Sequence, residues 1–342
     1  MADKNDPLKN KALRTSGKYL IIFLIMVQNP LFGQTKFIKP GAVWTDQANQ
    51  PIQAHGGCII KIAEKYYWYG QQSRQGLDSS LRYVSCYSSA DLMNWTFEND
   101  VVQMSDPEAL GTGWILERPH VFHDAAANKF VMYFHLDNKK YNYARVGIAI
   151  SDHPNGNFKY VKSMRPLGRP SRDIGQFIDD DGTSYLIFED RELGFHIVKL
   201  SADLMSIEKE MSLVRAHLEG GAIVHYEGLY YVIGSGLTGW DPNPNKYATA
   251  KSLEGPWSEF KDIAPPETNT YRSQSTMLLK VTGTKATNVI YMGDQWKPER
   301  QWDSRYLWMP LVIGNGKLWL TEPRPWSVNV RTGTVEFVKQ PK

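Results

Sequence analysis

The chain has 342 residues, with 39 Lys and Arg against 36 Asp and Glu. No Lys/Arg-rich block appears, which argues against a nucleic-acid binder with a basic face. There is no CxxC or HExxH pattern, so a dedicated zinc site is not supported. The two cysteines, Cys58 and Cys86, leave pairing open, with two buried free thiols as the expectation.

Residues 1–18 carry Lys4, Lys9, Lys11, Arg14 and Lys18 against Asp3 and Asp6, and the apolar run "YLIIFLIMV" and the exit "QNPLFGQ" follow. A basic region, a short apolar core and a small-residue exit read as a secretory signal. Nine apolar residues are too few to span a bilayer. Cleavage is expected near Gly33 or Gln34, giving a secreted or periplasmic protein with no stable membrane insertion. Taking five basic and two acidic residues from the totals leaves 34 of each, so the apparent basicity belongs to the leader. The remaining stretch, 35–342, is long enough for two domains, but large all-β folds are single.

Five segments then share one form: "KYYWYGQ" (65–71), "KFVMYFH" (129–135), "TSYLIFE" (183–189), "LYYVIGS" (229–235) and "NVIYMGD" (288–294). Each is aromatic and β-branched and follows a turn signal, as a strand entering from a hairpin does. A second series interleaves with them: "VSCYSSADLMNWTFE" (84–98), "VGIAISDHPNGNFKYV" (146–161), "FHIVKLSADLMSIEK" (195–209) and "YATAKSLEGPWSEF" (247–260). Each reads as strand, polar turn, strand. Five repeats of about four antiparallel strands, with little helical periodicity, predict an all-β, five-bladed β-propeller. A two-sheet sandwich is the rival, but it does not predict a fivefold echo.

In a propeller the innermost strands line a central channel. The residues opening these strands are His55 ("AHGG"), Glu117 ("LERPHV"), Asp173 ("SRDIGQF"), Glu219 ("LEGGAI") and Gln274 ("RSQSTM"). Equivalent positions of five blades meet at one mouth. The neighbouring strands run back to that mouth and end at Gln71, His135, Glu189, Ser235 and Asp294. Such a ring either neutralises itself to hold the blades together or forms a site. Carboxylates crowded into a pocket acquire separated pKa values, which suits acid–base work. Glycoside hydrolysis needs one group to protonate the leaving oxygen and another to serve the anomeric carbon. Sugars also stack on aromatic rings, and Trp114, Tyr141, Trp240, Trp296 and Trp302 fall near the expected mouth loops. "TGWDPNPN" (238–245) is the best candidate platform, because its prolines and asparagines mark an exposed loop.

Taken together, "IQAHGG…YYWYG", "ERPHV", "SRDIGQFIDDDG", "TGWDPN", "SQST" and "GDQW" resemble glycoside hydrolase family 43, and within it the branch containing exo-β-1,3-galactanases. The resemblance implies an inverting mechanism acting on galactan or arabinogalactan oligosaccharides. It matches Asp173 to the residue that tunes the acid, Glu219 to the general acid and Gln274 to a glutamine implicated in holding the attacking water. Glu117 and Tyr141 match sugar-contacting positions. His55 stands where most of the family carries a catalytic Asp, an absence shared by the galactanase-like branch. An amide is a poor base by ordinary pKa reasoning, so Glu117 stands beside Gln274 as a candidate base. Gln71 replaces a Glu of relatives with "YYWYGE", which bears on sugar recognition. Gly220-Gly221 replaces "AP" after the acid, which bears on the local backbone. Substrate-binding candidates are His55, Gln71, Tyr141, Glu189, Trp240, Asp294 and Trp296. No cofactor is required by this reading. Calcium, which some family members hold near the channel axis, is not indicated by any ligand spacing.

Two other functions fit the same sequence. One is hydrolysis of an α-L-arabinofuranoside, β-xyloside or galactofuranoside, and the other is a non-catalytic glycan-binding propeller. Sixteen residues follow Trp326, so no appended carbohydrate-binding domain is expected, and polymer targeting would fall to the propeller surface.

Overall fold

A computed structural model of the chain describes residues 37–338. The expected leader, 1–34, lies outside them. The strands follow the aromatic punctuation of the sequence closely. Blade one comprises β1 (His55–Ile62), β2 (Lys65–Gln71), β3 (Arg82–Ser89) and β4 (Thr96–Met104). Blade two comprises β5 (Ile115–Asp124), β6 (Lys129–Asp137), β7 (Arg145–Ser151) and β8 (Lys159–Met164), and blade three β9 (Ile174–Ile178), β10 (Ser184–Asp190), β11 (Gly194–Leu200) and β12 (Ile207–Val214). Blade four comprises β13 (Leu218–Tyr226), β14 (Leu229–Gly236), β15 (Lys246–Ala250) and β16 (Lys261–Asp262), and blade five β17 (Gln274–Thr282), β18 (Thr287–Gln295) and β19 (Arg305–Pro310).

Every blade is an antiparallel meander in chain order. The inner strands contact one another in a closed ring, β1 with β5, β5 with β9, β9 with β13, β13 with β17 and β17 with β1. This is the five-bladed propeller. Two details depart from the sequence reading. Blade five has three hydrogen-bonded strands rather than four. In blade four, "GPWSEF" is not a strand. Pro256 brings no N–H to a ladder, and the outer strand shrinks to Lys261–Asp262.

The ring is closed by the chain ends of the described region. Ile38 and Trp326 exchange backbone hydrogen bonds of 2.7 and 3.1 Å. Trp326 lies on the hairpin Trp326–Asn329/Thr334–Phe337, whose turn bonds the β17–β18 turn through Thr284 N to Arg331 O and Lys285 N to Thr332 O. The seam is aromatic: Trp68 meets Trp308 at 4.6 Å and Trp95 at 5.2 Å between ring centroids, and all three are at most 2% exposed. Each such ring removes a large apolar area from water, which is the dominant stabilising term between blades. Cys58 and Cys86 are both buried and free. Cys58 Sγ accepts from Val121 N at 3.1 Å, and burial pushes its thiol up to about 12.

A recurring irregularity positions the site. Strands β1, β5 and β13 each break register directly after the residue that opens the ring, at His55/Cys58, Glu117/His120 and Glu219/Ala222, and β17 breaks one residue later, at Ser275/Met277. A bulge bends the strand and re-aims one side chain out of the ladder. The residue that follows the ring position is left-handed in three blades: Gly56 (φ +64°), Arg118 (φ +52°) and Gly220 (φ +62°). At Gly220 a Cβ would also stand 2.7 Å from Ser275 O, so the glycine is needed twice over. In blade two an arginine takes the same backbone conformation, with Pro119 beside it at the bulge, where no ladder N–H is required.

Candidate active site

The bulges and the register bring the ten mouth residues together in pairs. His55 pairs with Gln71, Glu117 with His135, Glu219 with Ser235 and Gln274 with Asp294. Asp173 joins Glu189 through the Glu189 N to Asp173 O bond of 2.9 Å. At this mouth lies a cavity of about 330 Å³. Gln71, Glu117, His135, Tyr141, Asp173, Glu219, Trp240, Gln274 and Trp296 all line it, joined by Arg118, Arg172, Arg191 and Gly239. Trp240 and Trp296 stand edge to face at 5.1 Å, so two of the aromatic candidates form one wall.

His55, Glu189 and Asp294 are one layer deeper. None lines this cavity. His55 is 2% exposed, its Nδ1 lies 2.8 Å from Asp294 Oδ1, and its ring stacks on Tyr306 at 4.5 Å. Its Nε2 has no hydrogen-bond partner among the described residues. Asp294 also accepts from Gly56 N and Thr276 Oγ1. His55 therefore braces the floor and does not face the cavity as expected. Gln71 Oε1 accepts from Arg118 N at 3.2 Å, which turns that residue toward holding the blade-two bulge. Trp114 is buried and lines a neighbouring cleft, while Trp302 lines none of the three mouth cavities.

Arg118 is the residue that sequence comparison passed over. Its side chain is 5% exposed, and it reaches Asp173 Oδ2 (3.0 Å), Gln274 Oε1 (2.5 Å) and Ser275 O (2.8 Å). The available signal was the left-handed bulge position, where blades one and four have glycine and blade two has a cation. An arginine tolerates that backbone at a cost of order 1–3 kcal/mol, the kind of strain that gathers at functional sites.

Gln274 is held at all four of its polar positions. Oε1 accepts from Arg118 Nη2 and from Trp296 Nε1 (2.9 Å). Nε2 donates to Glu219 Oε1 (3.0 Å) and Ser235 Oγ (3.1 Å). Arginine and tryptophan can only donate, so the amide has one orientation here. The backbone leading to it is equally constrained. Residues 269–272 form a left-handed turn, with φ of 49, 52, 53 and 62°. No glycine relieves it, and each such residue costs roughly 1–2 kcal/mol. Fixed partners hold it: Asn245 N to Thr270 Oγ1 (2.6 Å), Gln295 Nε2 to Tyr271 O (2.8 Å) and Ser273 Oγ to Thr270 O (2.7 Å).

Two carboxylate groups with different electrostatics face each other across the cavity. On one side Glu219 is 5% exposed and accepts from Arg191 Nη2 at 3.1 Å. Burial raises its pKa to about 8, with the charges of Asp173 and Glu189 adding to the effect against Arg118 and Arg191. Glu189 is raised in the same way, by burial and by Asp173. Asp173 Oδ2 accepts from Gly220 N at 3.0 Å, which ties this carboxylate to the backbone next to Glu219. On the other side, burial alone would lower His135. Hydrogen bonds to Asp137 (3.0 Å) and Glu117 (3.2 Å) outweigh it and hold the imidazole at about 9. Glu117 Oε1 accepts from Tyr141 Oη at 3.0 Å, so both its oxygens are engaged.

Glu117, His135 and Asp173 also offer three potential metal-ligand atoms within 4.8 Å of one another. The set suits a divalent cation poorly. His135 Nδ1 is directed at Glu117, and the Arg118 guanidinium already neutralises Asp173.

A five-bladed propeller with a carboxyl group held neutral beside an anchored carboxylate, in a pocket walled by indoles, has the parts of a sugar-cleaving hydrolase. Residues 51–292 match the family described as Glycosyl hydrolases family 43. The chain belongs to that family and is a glycoside hydrolase. Among solved structures it is similar to an exo-β-1,3-galactanase from Phanerochaete chrysosporium with galactose, at 39% identity and a TM-score of 0.82, over 89% of this chain and 71% of that one. It is also similar to a putative exo-β-1,3-galactanase from Bifidobacterium bifidum s17, at 35% identity and a TM-score of 0.77, over 83% and 96% of the two chains. A third similar structure is an exo-β-1,3-galactanase from Clostridium thermocellum, at 34% identity and a TM-score of 0.80, over 88% and 68%. No curated protein sequence matches this chain.

Proposed function

We propose that this protein is an exported, exo-acting, inverting hydrolase that releases galactose from β-1,3-galactan and arabinogalactan-type glycans. Glu219 carries the reading: a carboxyl group whose pKa of about 8 keeps its proton at neutral pH, at the wall of a cavity sized for a sugar. The similar enzyme from Phanerochaete chrysosporium has been solved with galactose and with β-1,3-galactotriose. That similarity supports galactose over arabinofuranose or xylose.

In this mechanism Glu219 gives its proton to the leaving glycosidic oxygen. Asp173 keeps Glu219 protonated by its negative charge and anchors the Gly220 backbone beside it. Water attacks the anomeric carbon from the opposite face, held by Gln274. Both acceptor sites of Oε1 are filled, so Gln274 offers the water an Nε2 hydrogen now shared with Ser235. It positions the nucleophile more readily than it removes a proton. Glu117, held between Tyr141 and His135 in the same cavity, is the group left to take the proton that the attacking water gives up. The reaction needs no cofactor.

The test is product analysis by mass spectrometry and NMR on β-1,3-galactan, with chromogenic arabinofuranoside and xyloside as controls. The expected result is galactose released from chain ends with inverted anomeric configuration, and a fall of about 10³-fold in kcat for Glu219→Gln. Retained configuration, or full activity in that variant, overturns the assignment. Comparing Gln274→Ala with Glu117→Gln separates the two candidate bases, and near-full turnover in Gln274→Ala removes the glutamine from the mechanism.

A further inference from the structure

The central cavity continues past Gln274 into a side cleft of about 310 Å³. The two share Gly239, Trp240, Gln274 and Trp296, so a sugar joined to one held in the cavity reaches the cleft without leaving the protein surface. The cleft is lined by three cations, Arg272, Lys297 and Arg305. Asp303 serves two of them: Lys297 Nζ lies 2.6 Å from Oδ2, and Arg305 pairs with Oδ1. Arg300 crowds the same carboxylate at 3.9 Å. Asp294, the acid nearest Gln274 in the register, is committed to His55, Gly56 and Thr276. Asp241 lines the cleft and pairs with no cation among the described residues.

Arg272 has no acceptor among the described residues and is exposed. Its backbone is far from free. It is the last residue of the left-handed turn, two positions before Gln274, held through Asn245, Gln295 and Ser273. A guanidinium on a rigid mount, beside a cluster with more cations than carboxylates, is suited to bidentate capture of a planar or tetrahedral anion.

We propose that this cleft is a subsite for an acidic sugar, carrying a carboxylate or a sulfate ester, attached to the galactose bound in the central cavity, and that Arg272 is its specificity-determining residue. The proposal rests on the galactan reading for the occupant of the central cavity, and not for the chemistry of the cleft. Neutral oligosaccharides pass through the same space without using the guanidinium.

The test compares four galactose-terminated oligosaccharides: one bearing a uronic acid, its methyl ester, a sulfated analogue and the neutral parent. In the wild-type enzyme at low salt, kcat/KM for at least one anionic substrate should exceed that for its uncharged counterpart by about tenfold, the value of one charge-assisted hydrogen bond. Added salt should erode the preference. Which anion is preferred identifies carboxylate or sulfate as the natural group. Arg272→Gln should bring the ratio to about one while leaving turnover of the neutral parent unchanged. No anion preference in the wild type, or an unchanged ratio in Arg272→Gln, overturns the proposal. If no galactoside is turned over, the galactan reading fails instead. Calorimetric binding of the acid and its methyl ester to Glu219→Gln, with and without Arg272→Gln, still decides the cleft.

Discussion

The two walls of the cavity are built from the same materials and settle their protons differently. On the Glu219 wall, three carboxylates (Asp173, Glu189 and Glu219) share Arg118 and Arg191. Acids outnumber cations, burial penalises the extra charge, and the carboxyl group of Glu219 is raised to about 8. On the His135 wall, two carboxylates flank one imidazole, and the proton stays on His135 up to about 9. Asp137 is correspondingly held below its ordinary value: His135 and backbone hydrogen bonds outweigh its burial. Burial acts on both walls and does not by itself decide which group is neutral. At Glu219 the neighbouring carboxylates add to it, and at His135 direct hydrogen bonds to two carboxylates outweigh it. The result is a proton donor on one wall and an imidazolium on the other.

Arg118 connects the two walls, so removing it is the strongest way to break the comparison. Arg118→Met leaves Asp173 without its cation in a buried site. We expect a loss of about 3–5 kcal/mol in chemical denaturation. In whatever fraction folds, Glu219 should rise further, moving the alkaline limb of kcat/KM upward from about pH 8. A limb that moves down contradicts the role of Arg118 in lowering Glu219.

His135 sharpens the same comparison through pH. Its folded pKa of about 9 lies above the unfolded value near 6.5. The stability it contributes is therefore fully present below pH 6.5 and is lost as pH rises through about 9. The difference corresponds to about 3 kcal/mol, as an order of magnitude. Glu219, also raised, loses its contribution over a lower window, from its unfolded value to about 8. Denaturation midpoints of wild type should fall from pH 6.5 to 9, and His135→Gln should flatten the part of that fall above pH 8. An equal slope in both proteins would show that His135 is not the proton holder.

Trp296→Phe gives the smallest effect. It keeps an aromatic ring in the wall and deletes one donor to Gln274 Oε1. About 1 kcal/mol is at stake, seen as a several-fold fall in kcat with KM changed less. A change confined to KM would make Trp296 a sugar platform only.

Much of this was legible in the chain itself. Alternating aromatic and β-branched runs after turn signals located all five second strands within two residues at each end, because strand period and hairpin chemistry are local properties. The same repeats put Glu117, Asp173, Glu219 and Gln274 at one mouth and paired them with the ends of the returning strands, since register follows from the hairpin. The strand Arg305–Pro310 was not signalled, and "GPWSEF" was read as a strand that Pro256 does not support. Which mouth residues face the cavity was not legible either. His55 occupies the ring position in sequence yet turns to Asp294, 239 residues away. The amide orientation of Gln274 depends on Arg118, 156 residues away, and on Trp296.

The sequence by itself therefore determined the repeating unit, the blade order and the residue types brought to the channel mouth. Only the tertiary structure decided where the protons sit, which polar atoms remain open to a sugar, and that Arg118 stands at the centre. Those outcomes are sums of desolvation and charge over neighbours from different blades, and no segment of the chain contains the sum.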